Sequence, residues 1–182
     1  MTTMKKHQVL LLISLLKLAL ITNTEIRAQN ESVSAQMPSF TLSDLDGNLV
    51  NSESYQGSYL VIHIATTWCP FCNAEAPYLE QLNQKYQDKN VKVLIIDVKE
   101  PQELVAKSLR DRFQLTFPVL LDTDGTVAAS FAPHDVLPTL ARDEVMLASN
   151  LLIDPEGNIQ FISLLDSKNL DVNLTVLQLT LD

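Results

Sequence analysis

The two cysteines of this 182-residue chain, Cys69 and Cys72, are spaced C-x-x-C between an apolar run and a helix-like run. The apolar run, residues 59–65, is rich in β-branched residues and shows little alternation, which is typical of a strand buried on both faces. Residues 73–86 then have apolar side chains at helical spacing. This order puts two thiols at the first turn of a helix, where unpaired N–H groups and the helix dipole favour a thiolate.

The rest of the chain alternates strand-like and helix-like segments. Further strands are predicted at residues 37–42, 91–97, 118–122, 151–154 and 159–164, and further helices at 101–113, 126–131 and 170–181. This order predicts an α/β fold with a central mixed sheet, helices on both faces and an N-terminal β-hairpin extension. Residues 132–148 show no clear period. The last segment also fits a strand, but we predict a helix because one sheet face would otherwise be bare.

The N-terminus has the pattern of an export signal. A short positive region precedes an apolar run over residues 9–21 that only Lys17 interrupts, and a polar stretch ending in small residues follows. Ala28 and Ala35 both suit a signal peptidase. The run is short for a bilayer span and contains a lysine, which favours a cleaved signal over an anchor. We expect an exported protein of the periplasm or cell envelope, attached to a membrane only if this segment is uncleaved.

These patterns divide the chain into a signal peptide (1–28), a flexible linker (29–36) and one domain (37–182). The composition is globular, with 46% hydrophobic and 19% charged residues. The net charge is −9 and no basic cluster is present, so no nucleic-acid partner is predicted.

Several short motifs occur in the order found in a known group of proteins. They are Pro38-Ser39-Phe40-Thr41-Leu42 with residues 44–47, Trp68-Cys69-Pro70-Phe71-Cys72, Glu75 with Pro77, Phe117-Pro118-Val119, and Ile153-Asp154-Pro155-Glu156-Gly157. On these residues the chain resembles thioredoxin-fold redoxins, and more narrowly the exported TlpA/ResA-type members of the AhpC/TSA superfamily, over about residues 37–164. The resemblance implies a thioredoxin-like fold and a thiol–disulfide oxidoreductase that needs no cofactor. Its implied partners are disulfide-bearing client proteins and an upstream dithiol donor.

The resemblance gives the two cysteines different roles. Cys69, expected nearer the solvent, is the predicted nucleophile, and Cys72, one turn later, is the resolving cysteine. A purely structural bridge is the alternative, but a bridge across two residues closes almost no loop and stabilises little. Trp68 before the pair, and Pro70 and Phe71 within it, form the predicted surroundings of the site.

Two further residues are candidates for proton transfer or for tuning the cysteine pKa values. His63 stands six residues before Cys69, where thioredoxin-like proteins often have an acid that relays protons to the resolving cysteine. It is either such a relay, titrating near neutral pH, or a neutral core histidine. Glu75 follows Cys72 by one helical turn, and the resemblance implies that it affects the acidity of the cysteines. A solvated helix residue is the other interpretation of Glu75.

The chain departs from the family pattern at the cis-proline that should face the dithiol. Counting back from Asp154 places Ala148, followed by Ser149, at this position, whereas Pro138 lies about ten residues earlier. Either Pro138 is the cis-proline and an insertion follows, or Ala148 holds the position in a rebuilt loop. We favour Ala148 because the following hairpin fixes the strand register. A cis bond before a non-proline residue costs about 3 kcal/mol, so we expect a trans bond there.

Two other functions remain open from the sequence. A peroxiredoxin-like peroxidase is suggested by Thr66, three residues before Cys69, but Ile62 replaces the expected proline and Arg142 is the nearest candidate arginine. A copper-binding module would use the two cysteines with His134, which is a weak ligand set. We therefore predict no metal site.

Overall fold

The computed structural model describes residues 35–164 and 170–182, so the predicted signal peptide and most of the predicted linker lie outside it. The strands are β1 Thr41–Asp44, β2 Leu49–Asn51, β3 Tyr59–Ala65, β4 Val91–Val98, β5 Val119–Asp122, β6 Asn150–Ile153 and β7 Ile159–Ile162. The helices are α1 Pro70–Tyr86, α2 Gln102–Val105, α3 Thr126–Ser130, α4 Arg142–Val145 and α5 Leu170–Leu181. A π-helical segment, Ala106–Asp111, continues α2, and 3₁₀ turns occupy Ser52–Tyr55 and Gln87–Lys89.

In the described residues the strands form one seven-stranded sheet in the order β2-β1-β5-β4-β3-β6-β7. The central strands β3, β4 and β5 are parallel, whereas β6 runs antiparallel to β3, and β1 runs antiparallel to β5. The antiparallel pair β1–β2 is the predicted N-terminal hairpin. The predicted α/β class with a mixed sheet is confirmed. The sheet places the cysteine segment at the carboxyl end of its strand β3.

Helices cover both faces of the sheet, because β3 sends alternate side chains to opposite sides. Val61 and Ala65 pack with α1, the π-helical segment and α5 in one core cluster. Ile62 and Ile64 pack with α3 and the residues around α4 in the other. The continuous apolar run of β3 therefore buries both of its faces, as predicted, and the C-terminal segment is a helix, also as predicted.

Helix α1 begins at Pro70, so the cysteines lie at its first turn as predicted, although the helix-like sequence pattern starts at residue 73. Its beginning is fixed by the dithiol segment. Cys69 is the N-cap, in extended conformation, and its Sγ accepts a hydrogen bond from the backbone N–H of Cys72 at 3.3 Å. Pro70 occupies the first helical turn, where its missing N–H costs nothing. The helix places Cys72 inside its first turn and Cys69 at its tip.

Three other segments differ from their predicted bounds. The first strand begins at Thr41 rather than at residue 37, since the N–H and C=O of Phe40 bond to Ser52 instead of a neighbouring strand. The aperiodic stretch 132–148 contains α4, which is too short to show a helical period. At the end of the predicted linker, the carbonyl of Ala35 accepts a hydrogen bond from Ile159.

None of the helices in the described part of the chain has the length and apolar character needed to cross a bilayer.

Candidate active site

Cys69 and Cys72 carry free thiols and share the N-terminal tip of α1. Both are buried, with 4% and 1% of their surface exposed, so Cys69 is the more accessible by a small margin only. The burial follows from their position, since both belong to the core cluster between α1 and the sheet. A client sulfur therefore has to approach Cys69 through the surrounding loops.

The two thiols have opposite acidities. The pKa of Cys69 is lowered from 9.0 to about 6, chiefly by a hydrogen bond from the Cys72 thiol, while burial opposes the shift and the N–H groups of Cys72 and Phe71 assist it. The pKa of Cys72 is raised well above its ordinary range by the same hydrogen bond, by burial and by the charge of Cys69. At neutral pH Cys69 is therefore a thiolate and Cys72 a thiol, which favours Cys69 as the attacking sulfur.

Behind the cysteines, His63, Asn150 and Glu75 form a buried chain of hydrogen bonds. The side-chain N–H of Asn150 donates to Glu75 Oε2 at 2.9 Å, and Asn150 Oδ1 lies 2.9 Å from His63 Nδ1. The amide nitrogen faces Glu75, so the amide oxygen faces His63, and because that oxygen can only accept, the imidazole proton lies on Nδ1. Asn150 was not predicted from the sequence. No sequence motif marks it, and only the pairing of β6 with β3 places it opposite His63.

Burial decides the state of His63 and the surroundings of Glu75. His63 is 0% exposed, and burial lowers its pKa from 6.5 to about 4, although hydrogen bonds to Asn150 and the Ser149 backbone partly oppose the shift. Of the two interpretations of His63, its burial and its lowered pKa favour the neutral core histidine over a relay that titrates near neutral pH. Glu75 is 2% exposed, so the interpretation as a solvated helix residue is wrong.

The segment just before β6 is hydrogen-bonded to the end of β3, the strand that leads into the dithiol. The N–H of Ala148 donates to the carbonyl of Ile64 at 2.9 Å, and the N–H of Ile64 donates to the carbonyl of Ser149 at 3.0 Å. Ala148 is buried in the core cluster that contains both cysteines, and its φ of 60° lies in the left-handed region. Pro138 is exposed in the preceding loop. Residues 35–164 and 170–182 contain no cis peptide bond.

The other predicted residues occupy distinct surroundings. Trp68 is 67% exposed, Pro70 is exposed at the helix tip, and Phe71 packs partly buried against the core. The guanidinium of Arg142 donates to backbone carbonyls of the loop before α4, among them Val136 at 2.8 Å. His134 is exposed in that loop. In the part of the chain that the structure describes, no group of three or more His, Cys, Asp or Glu side chains could hold a metal ion.

A carboxyl pair beside the cysteine loop was not predicted from the sequence. The Thr67 backbone N–H and hydroxyl both donate to the carboxylate of Glu100, the hydroxyl at 2.6 Å. Asp97 is 1% exposed, and burial, with the charge of Glu100, raises its pKa to about 8. Asp97 thus keeps a proton at neutral pH. The predicted order of strands could have pointed to Asp97. It lies beside Ala65 at the carboxyl end of a parallel strand pair, where functional groups are often found.

A dithiol at the tip of the helix that follows a central parallel strand, in a mixed sheet covered on both faces, defines a thioredoxin-fold dithiol protein. The chain belongs to the AhpC/TSA family, whose model matches residues 33–162. It is 31% identical to the thiol-disulfide oxidoreductase ResA of Geobacillus thermodenitrificans over 167 residues, covering 87% of this chain and 89% of that protein. It is 26% identical to ResA of Bacillus thuringiensis subsp. konkukian, covering 73% and 70%.

Solved structures show the same fold. A secreted Mycobacterium tuberculosis disulfide oxidoreductase homologous to E. coli DsbE matches with a TM-score of 0.58 at 24% identity, covering 75% of this chain and 95% of that one. A thiol:disulfide interchange protein from Chlorobium tepidum matches with a TM-score of 0.63 at 18% identity, covering 84% and 99%. The predicted resemblance to thioredoxin-fold redoxins of the ResA type is confirmed.

Proposed function

We propose that this protein is an exported thiol–disulfide oxidoreductase that reduces disulfides of client proteins through Cys69 and Cys72. The observation that carries the dithiol exchange is the opposite acidity of the two thiols, with the thiolate on Cys69, the slightly more accessible sulfur. Two cysteines that formed a purely structural disulfide would need no difference in acidity. The relatives named thiol-disulfide oxidoreductases support the same activity.

The reaction proceeds in two exchanges that balance in atoms and electrons. The Cys69 thiolate attacks one client sulfur, the client disulfide breaks, and the other client sulfur leaves as a thiolate. Cys72 then loses its proton and attacks Cys69 Sγ, which breaks the mixed disulfide and releases the second client thiolate. Two electrons pass from the dithiol to the client, and an upstream dithiol donor restores the reduced pair.

The second exchange requires a group that accepts the proton of Cys72, and we assign this role to Glu75. The pKa of Cys72 is raised mainly by the bond to Cys69 and by burial, and the charge of Glu75 adds to them. This buried carboxylate stands one turn along α1 from Cys72, and the side-chain amide of Asn150 positions it. Neutral His63 holds Asn150 from behind and acts as a positioning residue.

Glu75→Gln is expected to slow the second exchange about tenfold or more at pH 7, while the first attack by Cys69 changes little. The amide keeps the shape of the carboxylate but cannot take a proton. Quenched-flow trapping of the mixed disulfide would measure both steps. Glu80→Gln is the matched control, because Glu80 is also buried on α1 but bonds to Thr116 instead. An equal slowing of both steps, or none, would rule out the proton transfer.

The activity itself is tested by insulin reduction with dithiothreitol as the donor, alongside peroxide consumption by the same sample. We expect turnover of insulin disulfides and little peroxidase activity, because Arg142, the candidate arginine for a peroxidatic site, bonds to backbone carbonyls of its own loop. The reduction potential of the Cys69–Cys72 pair gives the direction. A value of about −270 mV fits a reductant, and one of about −120 mV would contradict the proposal by indicating an oxidant.

Export is proposed from the first 28 residues, and the contacts of Ala35 support cleavage after Ala28. The carbonyl of Ala35 bonds to Ile159, and Gln36 forms a β-bridge with Asn158. Cleavage after Ala35 would remove the carbonyl that accepts the bond from Ile159 and would so disrupt the bridge, whereas cleavage after Ala28 leaves both contacts. N-terminal sequencing of the protein from its host would decide between them, and an intact N-terminus would exclude a cleaved signal.

A further inference from the structure

A cavity of about 430 Å³ opens beside the dithiol, in the size range of about 300–1,000 Å³ that small ligands occupy. Its walls come from three segments that meet at this end of the sheet, namely the cysteine loop, the end of β4 and the segment around α4. They supply Thr66, Trp68, Val98, Lys99, Glu100, Asp143, Glu144 and Leu147. Trp68, which lines the cavity, directly precedes Cys69 in the chain, so the cavity lies next to the segment that a client cysteine has to approach.

The lining of the cavity combines apolar and acidic side chains. Val98 and Leu147 line it together with the indole of Trp68, which is 67% exposed. Lys99 is the cationic lining residue, and its ammonium is held by Asp143 at 2.6 Å. Glu100 and Glu144 therefore give the cavity a net negative wall.

A buried hydroxyl in the same wall points to a ligand independently of these charges. Thr66 is 3% exposed, and its Oγ1 has no hydrogen-bond partner among the described residues. Buried hydroxyls in folded proteins are almost always bonded. A ligand that offers an N–H group inside the cavity would satisfy it.

We propose that this cavity receives a lysine or arginine side chain that neighbours the reactive cysteine of the client, so that the enzyme prefers client disulfides flanked by basic residues. The methylene stem lies against the indole of Trp68, and the cationic head meets Glu100 and Glu144. Thr66 accepts a hydrogen bond from the same head group. The proposal rests on the proposed reductase function and specifies its substrate.

The test uses cyclic peptides, each closed by one disulfide, that are identical except for lysine, glutamine or glutamate next to one cysteine. Each is mixed in excess with the reduced full-length protein, and the fluorescence of Trp68, the only tryptophan, reports oxidation of the dithiol. The same peptides reacted with dithiothreitol give their intrinsic reactivities, by which each rate constant is divided. Uncharged 2-hydroxyethyl disulfide serves as the reference substrate.

We expect the lysine peptide to react about tenfold faster than the glutamine peptide, and the glutamate peptide to react slowest. In Glu144→Gln the ratio of lysine to glutamine rates should fall several-fold, and in Glu144→Lys the preference should pass to the glutamate peptide. Glu156→Gln removes one exposed charge in the β6–β7 turn, at the opposite end of β3, and should leave the ratio unchanged.

Equal rates for the three peptides would overturn the inference. The inference would also be overturned if Glu144→Gln and Glu156→Gln lowered the ratio of lysine to glutamine rates equally. Such a result would reflect the overall charge of −9 and not this cavity. Failure to reduce 2-hydroxyethyl disulfide would instead contradict the proposed function, because that reaction needs only the dithiol. The two failures are therefore distinguishable.

Discussion

Cys69→Ser is expected to abolish disulfide reduction, lowering the rate by at least about a thousandfold. The wild-type thiol has a pKa of about 6 and is a thiolate at pH 7, whereas a serine hydroxyl stays protonated and does not attack disulfides. Serine fits the same volume and can still accept the bond from the N–H of Cys72, so the fold should persist. Insulin reduction measures the activity, and circular dichroism checks the fold.

Cys72→Ser is the matched control for the assignment of roles. Its Cys69 can still attack, but the mixed disulfide cannot be resolved, so the variant should accumulate covalently bound client that mass spectrometry detects and dithiothreitol releases. Trapping by Cys69→Ser instead would reverse the two roles. Retention of substantial turnover by either variant would contradict the dithiol mechanism.

The second large effect concerns the acidity of Cys69, which should depend on its partner thiol. The hydrogen bond from Cys72 is the main cause of the lowered pKa of Cys69, ahead of the backbone N–H groups. In Cys72→Ala this bond is lost, so the midpoint of the pH profile for iodoacetamide alkylation should rise from about 6 by at least about one pH unit. The sign follows because the lost bond stabilised the thiolate, and a less stable thiolate requires a higher pH to form.

Cys72→Ser separates this bond from the volume of the side chain. Its hydroxyl can still donate to Cys69, so its midpoint should lie between those of the wild type and the alanine variant. An alanine variant with the wild-type midpoint would show instead that the backbone N–H groups and the helix N-terminus account for the acidity.

Much of the fold could be predicted because its strands are long enough to show a pattern. The runs over β3 and β4 are mostly apolar and show little alternation, which burial on both faces explains, and the structure buries almost all of their residues. The short helix α4, Arg142–Val145, could not be predicted, because four residues do not complete a helical period. The cap that starts α1 could not be predicted either, because it is made by the sulfur of Cys69.

The sequence also located the site, but it did not predict the electrostatics around it. The sequence predicted the position of His63 on the central strand, but it did not predict the pKa of His63. That pKa is lowered mainly by burial, and burial depends on what the fold packs around the ring. Asn150 carries no motif and gains its role by standing opposite His63 across the β3–β6 pair. Glu100 lies 33 residues from Thr67, and only the parallel pairing of β3 with β4 brings them together.

The sequence by itself determined the dithiol, its place between a buried strand and a helix, and the family, because spacing and period are local properties of the chain. The tertiary structure alone decided which thiol is acidic, the buried and neutral state of His63, and the negative cavity beside Trp68. It also put Ala148 against the end of β3 and left Pro138 exposed. These properties depend on distances and burial between segments far apart in the chain, which no local pattern encodes.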